Sequence, residues 1–289
     1  GNITVQVDGA VDLHSDISSY NGTYRFPATF KDEYITASCA YSDSLFSGSS
    51  SSYSHSLARM SLAMALSAAN TIDDYDRFIV QAKDANGNYR TVPSGTPDYC
   101  YDIEMLRSSP AANVVALMES CGFTNIMVNR DYLVSTEYNI YFNPGNNIGV
   151  CIGAKELSDG TVVIAVALRG GRYGDEWRGN FTLYTPSSLH HVGFNTASNR
   201  AISAINNYVK TTGISEAKIW LSGYSRGGAV ANLTAAKILQ GSVPGCALDV
   251  YAYTFEAPMT TKDANAGSSV YAGIWNIVNP TDLKTQLPM

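Results

Sequence analysis

The residues best suited to chemistry fall in one short run. Gly223-Tyr224-Ser225-Arg226-Gly227 sets a serine between two glycines as G-x-S-x-G, with a third glycine at Gly228. A serine hydroxyl attacks a carbonyl only when its proton is drawn off by a base and the resulting oxyanion is met by donors. The flanks supply the setting for such a serine. Ile219-Trp220-Leu221 is a short apolar run, and Ala229, Val230, Leu233 and Ala236 follow at helical spacing. Strand, tight turn and helix make a nucleophile elbow, in which the serine sits on strained backbone and its hydroxyl is exposed at the turn. Glycines on either side let strand and helix approach closely. The plain alternative, a glycine turn with an incidental serine, is disfavoured by this context.

Ser225 is therefore the candidate nucleophile, and the backbone N–H of Arg226 is a candidate oxyanion donor at the positive end of a helix. The remaining parts should lie beyond the carboxyl ends of neighbouring strands, where open α/β sheets place their sites. After Leu168 comes Arg169-Gly170-Gly171, a loop whose glycines permit a second N–H to reach the same oxygen. After Val278 comes Asn279-Pro280-Thr281-Asp282, and Asp282 suits the carboxylate that orients a histidine. The four histidines, His14, His55, His190 and His191, all precede Ser225. In α/β-hydrolases the histidine comes last, so His191 is only a weak candidate base and His190 reads as loop packing. The adjacent pair lacks a spaced third ligand and does not read as a metal site. No cofactor is indicated.

Stepping outward, Thr161–Leu168 contains a continuous apolar run, as expected of a strand covered on both faces. Ile148–Lys155, Val250–Phe255 and Ile274–Val278 read as further strands, as does Tyr138–Phe142, with turns at Asn143-Pro144-Gly145 and Ser158-Asp159-Gly160. Helices are expected at about 196–211 and directly after Ser225. This alternation implies a parallel sheet with right-handed crossovers. Residues 137–289 form the expected sheet region. Residues 1–136 read mainly as helix and loop, a candidate cap or lid. Within them, His55–Ala69 is a buried helix, Thr71–Ala82 a second, 110–121 a third, and Phe123–Val128 and Ile3–Val7 are strand-like.

Lys plus Arg number 19 and Asp plus Glu 25, a net charge of −6 with no basic run, which argues against nucleic-acid binding. Only 15% of residues are charged, while Ser, Asn, Thr and Tyr abound, a surface that fits an extracellular or cell-envelope protein. Sequons at Asn2, Asn21, Asn180 and Asn232 suit that reading but also follow from composition. Five widely spaced cysteines allow one or two disulfides and leave at least one thiol. No apolar run reaches transmembrane length. The chain begins at Gly1, as a processed chain would.

Several ordered motifs in 161–289 resemble the fungal-lipase-like (class 3 lipase) family of α/β-hydrolases. Val163–Gly171, VIAVALRGG, is similar to its strand ending in R-G, with Trp177 following. His191-Val192-Gly193-Phe194 is similar to its H-x-G-F, and Gly223–Ala229 to G-H-S-L-G-G-A. Tyr253–Pro258, YTFEAP, is similar to T-F-G-x-P, and Trp275–Pro288 to the segment that holds the acid. The resemblance implies an α/β-hydrolase fold, a mostly parallel sheet with helices on both faces, and a serine hydrolase of lipid or other acyl esters. It carries Ser225 to the nucleophile, Asp282 to the triad acid, and Gly171 and Arg226 to the oxyanion hole. His191 falls on the family's structural histidine; the catalytic one lies C-terminal to the acid, beyond Met289, so the chain reads as truncated there. Tyr224 and Arg226 depart from the family's His and Leu. A cation at a helix N-terminus opposes the dipole by about 0.3–1 kcal/mol, and Glu256, in place of the family's glycine, is the expected partner of Arg226. Transient contact with a lipid interface follows from such substrates. The competing reading is a non-catalytic binding or surface module on a hydrolase scaffold. Oligomeric state is not readable.

Overall fold

A computed structural model describes residues 11–27, 34–69, 95–133, 147–170, 187–281 and 285. Strands β1 (Ser19–Pro27) and β2 (Tyr34–Ser42) pair as an antiparallel hairpin, and helix α1 (His55–Ala68) follows. Then come β3 (Tyr99–Cys100), α2 (Ile103–Arg107), α3 (Ala112–Ser120), β4 (Thr124–Asn129) and α4 (Arg130–Leu133). The second half runs β5 (Val150–Glu156), β6 (Val162–Leu168), α5 (Val192–Thr212), β7 (Glu216–Tyr224), α6 (Arg226–Leu239), β8 (Ala247–Phe255) and β9 (Ile274–Ile277).

Strands β3 to β9 form one seven-stranded sheet in chain order. The pairings from β3 to β6 are antiparallel and those from β6 to β9 parallel. The β5–β6 turn is Ser158-Asp159-Gly160. Gly160 takes φ +83, and the Asp159 carboxylate accepts the Thr161 N–H at 2.9 Å. A short turn of this kind can join only antiparallel strands, whereas each parallel step needs a long crossover. The sheet is thus mixed, with its parallel part confined to the four strands that carry the motifs.

Right-handed crossovers that always step in one direction put their helices on one face. Helices α5 and α6 accordingly pack together over Ile164, Val166, Leu168, Ile219, Leu221 and Val250. The other face carries Val163, Ala165, Ala167, Trp220, Tyr251 and Tyr253, and α1 covers it. β6 is apolar throughout because both of its faces are covered. α1 buries Leu57, Met60, Ala63 and Met64, and Ser61 faces the sheet. There Ser61 Oγ accepts the Trp220 indole N–H at 2.7 Å and donates to the Leu57 carbonyl.

This arrangement corrects the expected division at residue 136. β3 and β4 lie before that point yet belong to the sheet, and α1 is a core layer beneath it. The strand-like stretch Phe123–Val128 is β4, but which sheet a strand joins depends on partners distant in sequence and leaves no local mark. A buried ion pair ties in the segment after β2. Lys155 Nζ on β5 donates to Asp43 Oδ1 at 2.7 Å and to the carbonyls of Ile17 and Cys121. α5 starts at Val192, earlier than expected, because His191 serves as its N-cap; Gly213 ends it at φ +72. α3 starts at Ala112, two residues after Pro110. All five cysteines are free, and only Cys246 is not fully buried. The expected helix at 71–82 and the strands at 3–7 and 138–142 lie outside the described residues. No described helix is long and apolar enough to cross a membrane.

Candidate active site

β7 delivers the chain into the turn and α6 takes it away. Between them Ser225 has φ 53 and ψ −121, a conformation that an L-residue holds at a cost of about 1–3 kcal/mol. The surroundings impose it. The Ser225 N–H donates to the Phe255 carbonyl at the end of β8, 2.8 Å away, and the Ser225 carbonyl accepts the Ala229 N–H at 3.0 Å. The neighbouring glycines are required by close approach. A Cβ on Gly227 would stand 2.4 Å from the Leu168 carbonyl oxygen, and one on Gly223 would stand 2.3 Å from the Gly227 carbonyl carbon. The start of α6 is therefore pressed against the ends of both β6 and β7. Ser225 itself is half-buried at this crest.

Arg226 is the first residue of α6, so its backbone N–H is among those a helix cannot pair internally. It sits next to Ser225, where an oxyanion donor is needed. The second expected donor loop lies close by. Gly170 is buried against the elbow, and a Cβ there would lie 3.0 Å from the Tyr224 carbonyl oxygen. Arg169, fully buried, holds this loop: its Nη2 donates to the Asp131 carbonyl at 2.9 Å and its guanidinium lies 4.8 Å over the Tyr132 ring. Gly171 and Asp282 are outside the described residues. The segment leading to Asp282 is described as far as Thr281, at the carboxyl end of β9 beside the end of β8.

His191, the weak candidate base, is the N-cap of α5. Its ring is fully buried and stacks on Phe194 at 3.9 Å, and its Nδ1 accepts the Phe194 N–H at 3.3 Å. No group among the described residues hydrogen-bonds to Ser225 Oγ. His191 caps α5, and its own N–H donates to the Thr260 carbonyl at 3.0 Å. His190 bridges to Thr261, Nδ1 to Oγ1 2.9 Å. The two histidines thus dock the start of α5 on the loop after β8.

Arg226 and Glu256, the expected pair, each make a backbone contact. The buried Arg226 guanidinium donates from Nη2 to the Asn147 carbonyl at 3.0 Å and lies 5.6 Å over the Phe194 ring. Glu256 Oε1 accepts the backbone N–H of Asn279 at 2.8 Å. A guanidinium on a long stem can reach several acceptors, and the chain pattern does not say which one folding will offer. The role of Glu256 in joining two strand ends was missed; the only signal was a charged residue where the motif it resembles has glycine. A cavity of about 160 Å³ lies on the flank of α6, lined by His190, Asn232, Lys237, Tyr271 and Asn276 among others. Ser225 is not in its wall, so it is not the elbow's substrate cleft.

The family described as Lipase (class 3) matches residues 165–289. Among solved structures, a fungal lipase–inhibitor complex is 24% identical over 50% of this chain and 57% of that one, with a TM-score of 0.38. A Rhizomucor miehei lipase propeptide complex is 22% identical over 49% and 48%, with a TM-score of 0.37. A lipase from Rhizopus microsporus var. chinensis is 16% identical over 72% and 79%, with a TM-score of 0.39. The match spans about half the length of the first two. No curated protein matches the chain.

Proposed function

We propose, from the match of residues 165–289 to the family described as Lipase (class 3), that this chain is the nucleophile-bearing part of a serine carboxylic-ester hydrolase acting on lipid or other acyl esters. The observation that carries the reading is the strained turn at Ser225, φ 53, between a parallel strand and a helix. Such strain persists only where the surroundings over-determine it, and it collects at functional sites.

In this reading Ser225 Oγ attacks the ester carbonyl and forms a tetrahedral intermediate. Its oxyanion is held by the N–H of Arg226 and by that of Gly171, each donor contributing about 10²–10³ in rate. The alcohol leaves, an acyl-enzyme remains on Ser225, and water releases the acid. Asp282 orients the base, a histidine that the family resemblance places C-terminal to it. Leu189 and Met259 are exposed, 58% and 40%, and suit brief contact with a lipid interface. An extracellular or cell-envelope setting agrees with the weakly charged surface.

The competing reading, a non-catalytic module on the same scaffold, is favoured by one observation: among the described residues nothing activates Ser225 Oγ. The full-length protein separates the two. Ser225→Ala should lower hydrolysis of p-nitrophenyl acyl esters by about 10³-fold or more, and a fluorophosphonate should label Ser225 in the wild type. Undiminished turnover in the variant would overturn the assignment. Absence of both labelling and turnover would favour the binding module.

A further inference from the structure

Glu256 is the residue on which the ends of three strands converge. It directly follows Phe255, whose carbonyl receives the Ser225 N–H at 2.8 Å. The Glu256 N–H donates to the Ile277 carbonyl at 2.9 Å. The parallel pairing of β8 with β9 ends at Phe255 and Ile277, so this bond closes the ladder. Beyond it the side chain takes over: Glu256 Oε1 accepts the N–H of Asn279 at 2.8 Å. Asn279 Oδ1 in turn accepts the N–H of Thr281 at 3.1 Å and its Oγ1–H at 2.8 Å. A path of hydrogen bonds runs from the nucleophile's own backbone to the residue before Asp282.

Glu256 also holds a conformation that favours glycine, φ 49. A glycine would take that φ without strain but would carry no acceptor. The chain keeps a carboxylate there, and its Oε1 takes the Asn279 N–H. A bond from a backbone N–H to an ionised carboxylate is stronger and shorter than a neutral one. Four-residue β9 is too short to fix the chain beyond it by its ladder alone.

We propose that Glu256 is a positioning residue: its carboxylate clamps Asn279–Thr281, the segment that leads into Asp282, to the end of β8. The proposal rests on Asp282 being the triad acid. Glu256 touches no reacting atom. It acts through the loop, and a small misplacement of a catalytic group is enough to cost up to about a hundredfold in rate.

The test uses the full-length protein with three substitutions. Glu256→Ala removes the acceptor and keeps a strained side-chain-bearing residue, Glu256→Gly removes both acceptor and strain, and Glu256→Gln keeps a neutral acceptor. Two readouts are taken: kcat and KM for a p-nitrophenyl ester, and hydrogen exchange at the Asn279 amide. The Ala and Gly variants should lose about tenfold or more in kcat with KM within about twofold. Their Asn279 amide should exchange about tenfold or more faster, and Gln should restore both to within about threefold of wild type. Loss of kcat in Gly with a urea midpoint near that of the wild type separates positioning from general destabilisation. Unchanged exchange at Asn279 in the Ala variant would overturn the proposal, as would faster exchange with unchanged kcat. If the wild type shows no Ser225-dependent hydrolysis, the functional reading fails by itself and takes the catalytic role of the clamp with it. The exchange measurement then decides whether the clamp exists.

Discussion

A carbonyl oxygen 2.4 Å from the point where a side chain would begin decides what residue 227 can be. That oxygen belongs to Leu168, the last residue of β6, so a methyl group at Gly227 must push α6 off the strand end. Overpacking of a rigid contact costs about 1–3 kcal/mol and sometimes more. Gly227→Ala should therefore lower the urea midpoint of unfolding and also reduce fluorophosphonate labelling of Ser225, because the same displacement moves the N–H of Arg226. A variant with unchanged midpoint and labelling would contradict the close approach. The residue scale also explains His191. Its position before a Val-Gly pair gives no usual capping signal, yet its Nδ1 faces the Phe194 N–H and its ring covers Phe194.

At the scale of elements, α5 and α6 lie side by side, and Lys237 on α6 joins them. Its ammonium donates to the Asn195 carbonyl at 3.1 Å and to Ser198 Oγ at 2.6 Å. Burial brings its pKa down to about 8, from an ordinary 10.5. The sign follows from proton binding. Between about pH 8 and 10.5 the unfolded chain holds this proton more than the folded one, so this group's contribution to stability rises with pH there. Below pH 8 both forms are charged and the contribution is flat. Burial raises the thiols of Cys100, Cys121 and Cys151 above their ordinary 9.0 and the Tyr208 phenol above 10.0, so each acts in the opposite direction from about its ordinary value upward. From about pH 8 to about pH 10.5 the stability measured by urea unfolding should climb less, or fall more, with pH in Lys237→Met than in the wild type. An identical pH dependence in wild type and variant would show that Lys237 contributes no such slope.

For the whole molecule, the sheet is covered on one face by helices that follow its parallel strands and on the other by a helix from the N-terminal half. The segment after β2 is fastened by Lys155, which is fully buried and bonded to Asp43 at 2.7 Å. Removing one member of a buried pair leaves the other uncompensated and costs about 3–5 kcal/mol. Lys155→Ala should lower the denaturation midpoint accordingly, with one cooperative transition seen by both fluorescence and circular dichroism. Two separate transitions would mean that the N-terminal part folds as its own unit.

The sequence by itself determined the elbow at Ser225, the buried strand that became β6, the amphipathic or buried helices α1, α5 and α6, and the β5–β6 turn. Each rests on local physics: periodicity, glycine tolerance and turn chemistry act within a few residues and leave their mark in order along the chain. Tertiary structure alone decided that β3 and β4 join the sheet, that α1 is a core layer, that His191 caps a helix, and that Arg226 reaches Asn147 while Glu256 takes the Asn279 N–H. These are choices among distant partners of similar chemistry. They are settled by which backbone groups packing brings within hydrogen-bond reach, and a linear pattern does not carry that information.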